Sequence, residues 1–213
     1  MPSKIYKFYE FVSRMGQIFR WALMRNTRQE DLKQHSFDVS VLSHALALIH
    51  NHLSSCAGSR QLDPGKAAVY ALYHDTAEVF TGDFPTPLKQ FGGGVIKSIA
   101  DKLEGLAIDK MISSLPDELQ PSYREVFAIP PEYKAIVKAA DRIAGLRKCR
   151  EELATGNQEF APAAARLEEA LKSSNLPEVD YFMERFMPEQ PMSLDSLIEG
   201  NGAWLLEDQE VGL

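Results

Sequence analysis

The stretch AVYALYHDTAEVFTGDFPTP, residues 68–87, decides how the chain is read. Val69, Leu72, Tyr73 and Val79 are spaced as the apolar side of a helix. At its polar end His74 and Asp75 stand side by side, with Glu78 three residues further on. At about 100° per residue Glu78 lies one turn from both, so a single wall carries an imidazole and two carboxylates, each able to hold a metal or move a proton. A packed helix fixes such a wall better than a mobile loop does. After Thr81 the sequence runs through Gly82, Pro85, Pro87 and Gly92-Gly93-Gly94, too many breakers for regular structure, and a loop is expected beside the cluster. A His-Asp pair alone is a common dipeptide, so its meaning depends on what the rest of the chain brings to it.

Two other stretches supply candidates. His35-Ser36 opens a periodic run through Val39, Leu42, Ala45, Leu46, Ile49 and Leu53, a helix with His35 at its mouth. His44, His50 and His52 lie on the same helix without acids at a matching spacing, and read as surface or core histidines. The segment EYKAIVKAADRIAGLRKCREELATG, residues 132–156, is a long helix after Pro130-Pro131, and it sets Asp141 on a face made otherwise of Ile136, Ala140 and Ile143. A carboxylate there needs compensation. A bound cation, a salt bridge to Arg142 or Lys138, or hydrogen bonds within the core would each provide it.

The remaining chain also reads as helices and connectors. Ile5, Phe8, Phe11, Val12, Met15, Ile18 and Phe19 predict an amphipathic helix over 4–19, loosened at Gly16, followed by a connector at 20–28. Residues 54–66 read as a loop ending in Asp63-Pro64, a cap with proline at the first helical position. Helical spacing returns over 95–115, in a shorter piece before Pro130, and over 160–171 and 177–187. Beyond Pro188 the chain holds acids without lysine or arginine, which predicts an acidic tail over 189–213 in which Trp204, Leu205 and Leu206 are the groups able to dock. No internal repeat, strand-like alternation of useful length or phosphate-cradling glycine loop is visible.

With 213 residues, 45% hydrophobic and 25% charged, the chain suits one domain with a substantial core, or one domain plus a tail, and needs no second domain. Cys56 and Cys149 form no metal or disulfide pattern, which fits a reducing, cytoplasmic setting. No apolar stretch reaches membrane-spanning length, and the charges in MPSKIYKFYEFVSRMG mark a first helix rather than a signal-peptide core. A net charge of −7 argues against binding a nucleic acid polymer. Residues 1–28 nevertheless carry a local +5 from Lys4, Lys7, Arg14, Arg20, Arg25 and Arg28 against Glu10, an excess suited to a small anion.

The order His35, His74-Asp75, Asp141 on three separate helices resembles the HD-domain superfamily of metal-dependent phosphohydrolases, and within it the bacterial 5′-deoxynucleotidases. The closer resemblance is carried by RWALMRNTR at 20–28, HSFDVSVLSHALA at 35–47, YHDTAEVFTGDFPTP at 73–87, KAADRIAGLRKCREELATGN at 138–157 and DYFMERFMP at 180–188. It implies an all-α fold, a single HD-domain helical bundle of about eight helices over residues 1–188. It also implies one divalent ion held by His35, His74, Asp75 and Asp141. Two imidazoles with two carboxylates suit a borderline metal such as manganese, cobalt, iron or zinc.

The implied reaction is hydrolysis of a 2′-deoxyribonucleoside 5′-monophosphate to deoxynucleoside and phosphate. By resemblance, Glu78 is the general acid-base group and Arg20 the phosphate clamp. Trp21 is expected to pack near the sugar, where its bulk would disfavour a 2′-hydroxyl. Asp83 is expected to accept a hydrogen bond from the 3′-hydroxyl, its plainer role being that of a loop cap. Thr86 and Lys89 are further substrate candidates, and a homodimer is implied. Gln34 departs from the acidic residue that relatives commonly place before the first metal-binding histidine. An HD phosphohydrolase of triphosphates or cyclic nucleotides, or a non-catalytic metal-containing nucleotide sensor, would share the metal shell. The TGD-PTP loop, Arg20-Trp21 and Glu78 favour the monophosphatase.

Overall fold

The computed structural model describes residues 5–54, 60–85, 87–88 and 94–199. Nine α-helices occur among them: α1 Phe8–Arg14, α2 Leu32–Ser54, α3 Pro64–Tyr73, α4 Val95–Ile112, α5 Gln120–Phe127, α6 Pro131–Ala154, α7 Ala161–Lys172, α8 Pro177–Phe186 and α9 Leu194–Glu199. The described residues form no strand, only an isolated antiparallel bridge between Phe19 and Asp31. The expected all-α fold is therefore present.

Helix α2 begins at Leu32, three residues before the expected start, because a reciprocal capping box closes its first turn. Asp31 Oδ1 accepts from the Gln34 and Lys33 amides, at 2.9 and 2.8 Å, while Gln34 Oε1 accepts from the Asp31 amide at 3.4 Å. Gln34 thus has a structural task of its own, and His35 faces inward, fully buried, one turn into a capped helix. Pro64 starts α3 as expected, with the Asp63 side chain accepting from the Lys66 amide.

Helix α2 is central and packs on α3, α6 and α8, while α7 lies against the far side of α6. Val39, Leu42 and Leu46 of α2 share one core with Ile136, Ile143 and Leu146 of α6, Phe160, and Val179 and Phe182 of α8. From α3 the buried groups are Ala67 and Ala71, not the expected Val69 and Leu72, which are 41% and 42% exposed. Two alanines let the short helix approach α2 closely. Tyr73 and Val79 do pack inward, against a second cluster built on Phe8, Met111 and Leu115. The first helix is shorter than expected: it gives way to a 3₁₀ turn at Met15–Gln17, where Gly16 weakens helical order.

Helix α6 stops in a Schellman motif. The Gly156 amide donates to Leu153 O at 2.9 Å and the Asn157 amide to Glu152 O at 3.0 Å, with Gly156 at φ +89° in the left-handed region that glycine tolerates. The turn aims Asn157 back at the segment preceding α2. After α8, residues 189–198 are exposed. The expected docking groups Trp204, Leu205 and Leu206 lie outside the described residues.

Candidate active site

The pair that opened the sequence reading is not on a continuous helix. Helix α3 ends at Tyr73, and Thr76–Val79 form a 3₁₀ turn. His74 closes the helix itself: its Nδ1 donates to Ala71 O at 2.6 Å, competing with a further helical turn. Side chains three apart eclipse in a 3₁₀ turn, so Asp75 and Glu78 still face one way. Both line the same cleft.

Because Nδ1 of His74 is committed to a carbonyl, Nε2 is the atom that carries the lone pair when the ring is neutral. That atom lies 3.1 Å from Asp75 Oδ2. His35 Nε2 lies 3.0 Å from Asp141 Oδ1 and 3.6 Å from Asp75 Oδ2. Both Nε2 atoms are buried, and neither makes a hydrogen bond of acceptable geometry despite these approaches. Ligand atoms of His35, His74 and Asp141 fall within 4.8 Å of one another. Buried imidazole nitrogens converging with carboxylate oxygens, but not bonded to them, are a donor set that a divalent cation satisfies.

The carboxylates make the cluster a place for positive charge, a proton on His74 where no cation is bound. Burial pulls His74 down, but the Asp75 carboxylate, then Asp141 and the Ala71 carbonyl, hold it at about 9. Burial opposes ionisation of Asp75, yet His74, His35 and Arg20 keep its carboxyl well below the usual range. For Asp141 the same burial cost is overcome chiefly by His35. The compensating partners of Asp141 are thus His35 and, at 3.8 Å, Arg20, rather than Arg142 or Lys138. Arg142 instead donates to Ala170 O at 3.1 Å.

The cleft above this cluster has a volume of about 310 Å³. Arg20, Trp21, Glu78 and Asp83 all line it, so the predicted substrate residues that the structure describes meet in one place. Thr86 and Lys89 lie outside the described residues. Arg20 is 15% exposed and sits among three carboxylates, with Nη1 3.3 Å from Asp75 and Nε 3.3 Å from Glu30 in addition to Asp141. Burial works against its charge, but Asp141, Asp75, Glu30 and Asp83 together raise it above its ordinary value. Trp21 takes φ +59°, rare for a bulky residue, and packs its ring 5.3 Å from that of Phe160. Asp83 follows Gly82, whose φ of +73° turns the chain back over the cleft mouth.

Sequence reading missed several contributors. Leu23 and Met24, with Phe84, Leu167, Arg142 and Arg166, complete the walls. Glu30 holds Arg20 and Trp21, and the buried Lys148–Glu152 pair ties residues 27 and 28 to α6. Periodicity could not reveal Glu30, which sits in a connector. Lys148 and Glu152 were legible only as an i, i+4 pair of the kind usually found on surfaces.

His50, read as unpaired, in fact faces Glu178 at 3.4 Å from Nδ1. That acid comes from α8, over a hundred residues away, where no spacing rule could place it.

The family described as 5′-deoxynucleotidase YfbR-like matches residues 7–190. A 5′-deoxynucleotidase of Erwinia tasmaniensis is 42% identical over 193 residues, covering 89% of this chain and 95% of that protein. One of Pectobacterium atrosepticum is also 42% identical, over 89% of this chain and 94% of its own length. Among solved structures, an HD-domain phosphohydrolase from Listeria innocua superposes with a TM-score of 0.71 at 20% identity, over 86% of this chain and 87% of that one. The HD phosphohydrolase of cyanophage S-2L, bound to dA and one catalytic Zn²⁺ ion, superposes with a TM-score of 0.56 at 21% identity, covering 87% and 98%. By sequence over most of its length, and with the fold of HD-domain phosphohydrolases, the chain belongs to the YfbR-like 5′-deoxynucleotidase family.

Proposed function

We propose that the protein is a metal-dependent 5′-deoxynucleotidase that hydrolyses 2′-deoxyribonucleoside 5′-monophosphates, with His35, His74, Asp75 and Asp141 as its metal ligands. The observation that carries this reading is the convergence of two hydrogen-bond-free, buried Nε2 atoms with two carboxylates at the floor of a cleft whose walls hold Arg20, Trp21, Glu78 and Asp83. A divalent ion of the manganese, cobalt, iron or zinc class would supply a water of lowered pKa there and neutralise phosphoryl oxygens.

The chain's own groups divide the remaining work. The Arg20 guanidinium presents forked donors to the phosphate oxygens. Glu78 orients the attacking water and handles its proton, which ends on the leaving 5′ oxygen as the new P–O bond replaces the old one. Trp21 lies against the sugar and leaves little room for a 2′-hydroxyl, and Asp83 accepts from the 3′-hydroxyl. The cyanophage relative's bound dA and the deoxynucleotidase names of the curated relatives support this assignment of substrate.

The catalytic domain is taken to span residues 1–188, followed by an acidic tail at 189–213; the family match ends at 190. A cytoplasmic homodimer is part of the same reading. Exposed Phe37, Val41 and Leu48 recur at helical spacing along α2, an apolar stripe that a second copy would cover. No described helix is long and apolar enough to cross a membrane.

The test is phosphate release from a panel of deoxy and ribo 5′-monophosphates, using metal-free protein resupplied with manganese, cobalt, zinc or magnesium in turn. Deoxy-selective release that vanishes in Asp75→Ala is expected. Hydrolysis of triphosphates or cyclic nucleotides but of no monophosphate would refute the substrate assignment.

A further inference from the structure

Glu30 stands nine positions beyond Trp21 in the connector before α2, and a single atom of it reaches both substrate-facing residues. Oε2 accepts from Trp21 Nε1 at 3.0 Å and lies 3.3 Å from Arg20 Nε. The backbone fixes the approach. Arg20 N–H donates to Glu30 O at 2.9 Å and Leu32 N–H to Ile18 O at 3.0 Å, on either side of the Phe19–Asp31 bridge. Glu30 is 12% exposed and Arg20 15% exposed, so this contact is shielded from competing water.

We infer that Glu30 is a positioning residue that couples the phosphate clamp to the sugar-reading ring, holding Arg20 and Trp21 in one relative placement through a shared carboxylate oxygen. The inference rests on the deoxynucleotidase reading for what those two residues contact, but the coupling itself is a property of the three side chains. A Trp ring carried on a backbone at φ +59° has no regular element beneath it. Its packing on Phe160 sets the apolar edge, and Glu30 sets the polar one. The carboxylate also faces the Nε edge of the Arg20 guanidinium as an ion pair, leaving Nη1 and Nη2 aimed at the Asp75 and Asp141 side, where the phosphate would arrive. Discrimination against a 2′-hydroxyl then depends on Glu30 although it does not touch the sugar.

Two variants separate the hydrogen bond to Trp21 from the ion pair with Arg20. Glu30→Gln keeps an oxygen acceptor for the indole N–H and removes the charge facing Arg20; Glu30→Ala removes both. For deoxynucleoside monophosphates KM should rise about tenfold in each variant, as expected when a supporting partner of a binding group is lost. The deoxy-to-ribo ratio of kcat/KM should fall roughly fivefold or more in Glu30→Ala but stay within about twofold of the parent in Glu30→Gln. A merely structural glutamate would lower melting temperature and leave both KM and the ratio unchanged, which would overturn the inference.

A readout without turnover keeps the test independent of the functional reading. The chain has two tryptophans, so Trp204→Phe leaves Trp21 as the sole tryptophan, excited selectively over tyrosine. Glu30→Ala in that background should shift Trp21 emission and increase its quenching by acrylamide, whereas Glu30→Gln should resemble the parent. Unchanged emission in Glu30→Ala refutes the coupling whatever the enzyme hydrolyses. If the parent cleaves no monophosphate, the deoxynucleotidase reading fails by itself, and a Trp21 response to Glu30→Ala still upholds the hold of Glu30 on the ring.

Discussion

His35 Nε2 and Asp141 Oδ1 are 3.0 Å apart, an approach between the first turn of α2 and the middle of α6 that joins the two halves of the candidate metal shell. Asp141→Ala leaves the buried imidazole facing Asp75 alone. The expected result is a chain with native helical content that no longer retains a divalent ion through gel filtration, with phosphate release lower by at least roughly a thousandfold, or about 4 kcal/mol of activation free energy. Metal analysis of the purified variant checks it. A full complement of metal would remove Asp141 from the ligand set.

Glu78 should divide metal binding from chemistry. It lies on the 3₁₀ turn beside Asp75, lines the cleft, and is left outside the four proposed ligands. Glu78→Gln is therefore expected to bind metal as the parent does while kcat falls by about 10²–10⁴, the usual worth of a positioned acid-base group. Titration with the preferred metal alongside steady-state kinetics distinguishes the two. Parallel loss of metal and activity would make Glu78 a ligand instead.

Glu152 anchors the segment that carries Arg20 and Trp21. It is 1% exposed and pairs with buried Lys148; its carboxylate also accepts from the Thr27 and Arg28 amides and from Asn157. Burial would raise its carboxyl, but Lys148, Thr27, Asn157 and Arg28 outweigh that and lower it from an ordinary 4.5 to about 2. A depressed folded-state pKa contributes stability above the unfolded value, so this contribution is present above about pH 4.5 and disappears as pH falls towards 2. Urea midpoints should therefore drop through that window more steeply in the parent than in Glu152→Gln. At neutral pH Glu152→Ala, which strands a buried ammonium, should cost about 3–5 kcal/mol.

What the sequence disclosed follows from the range of each interaction. The periodic stripes of α2 and α6 and the Asp63-Pro64 cap are local signals, and they were legible. The end of α3 was not, because it is set by a side chain of the chain itself: His74 bonding back to Ala71 halts the helix that the apolar spacing would have continued through Val79. Nor could spacing show that Val69 and Leu72 are exposed and two alanines buried, since close packing of α3 on α2 decides that. His74, Asp75 and Asp141 stood out as candidates from their own positions, and the family pattern joined them with His35 into one proposed ligand set. Glu30, Arg166 and Leu167 were not, as their roles arise only when the connector and α7 fold over the cleft.

Arg20 yields a prediction in which two measured quantities move in opposite directions. Its Nη1 is 3.3 Å from Asp75 and its Nη2 3.8 Å from Asp141, so a fixed positive charge sits against two of the proposed metal ligands. Arginine keeps that charge at any accessible pH. Removing it takes a like charge away from an arriving divalent ion, so Arg20→Ala should bind metal a few-fold more tightly in competition with a chelator. The same substitution deprives the substrate phosphate of its forked donor, and KM for deoxynucleoside monophosphates should rise by about 10–100-fold, equivalent to roughly 1.4–2.8 kcal/mol. Arg20→Lys should fall between, retaining the charge but not the planar fork. If Arg20→Ala instead weakens metal binding and leaves KM unaltered, the arginine serves to hold the carboxylates in place, and the phosphate must be met by other groups lining the cleft, of which Arg142 and Arg166 are the cationic ones among the described residues.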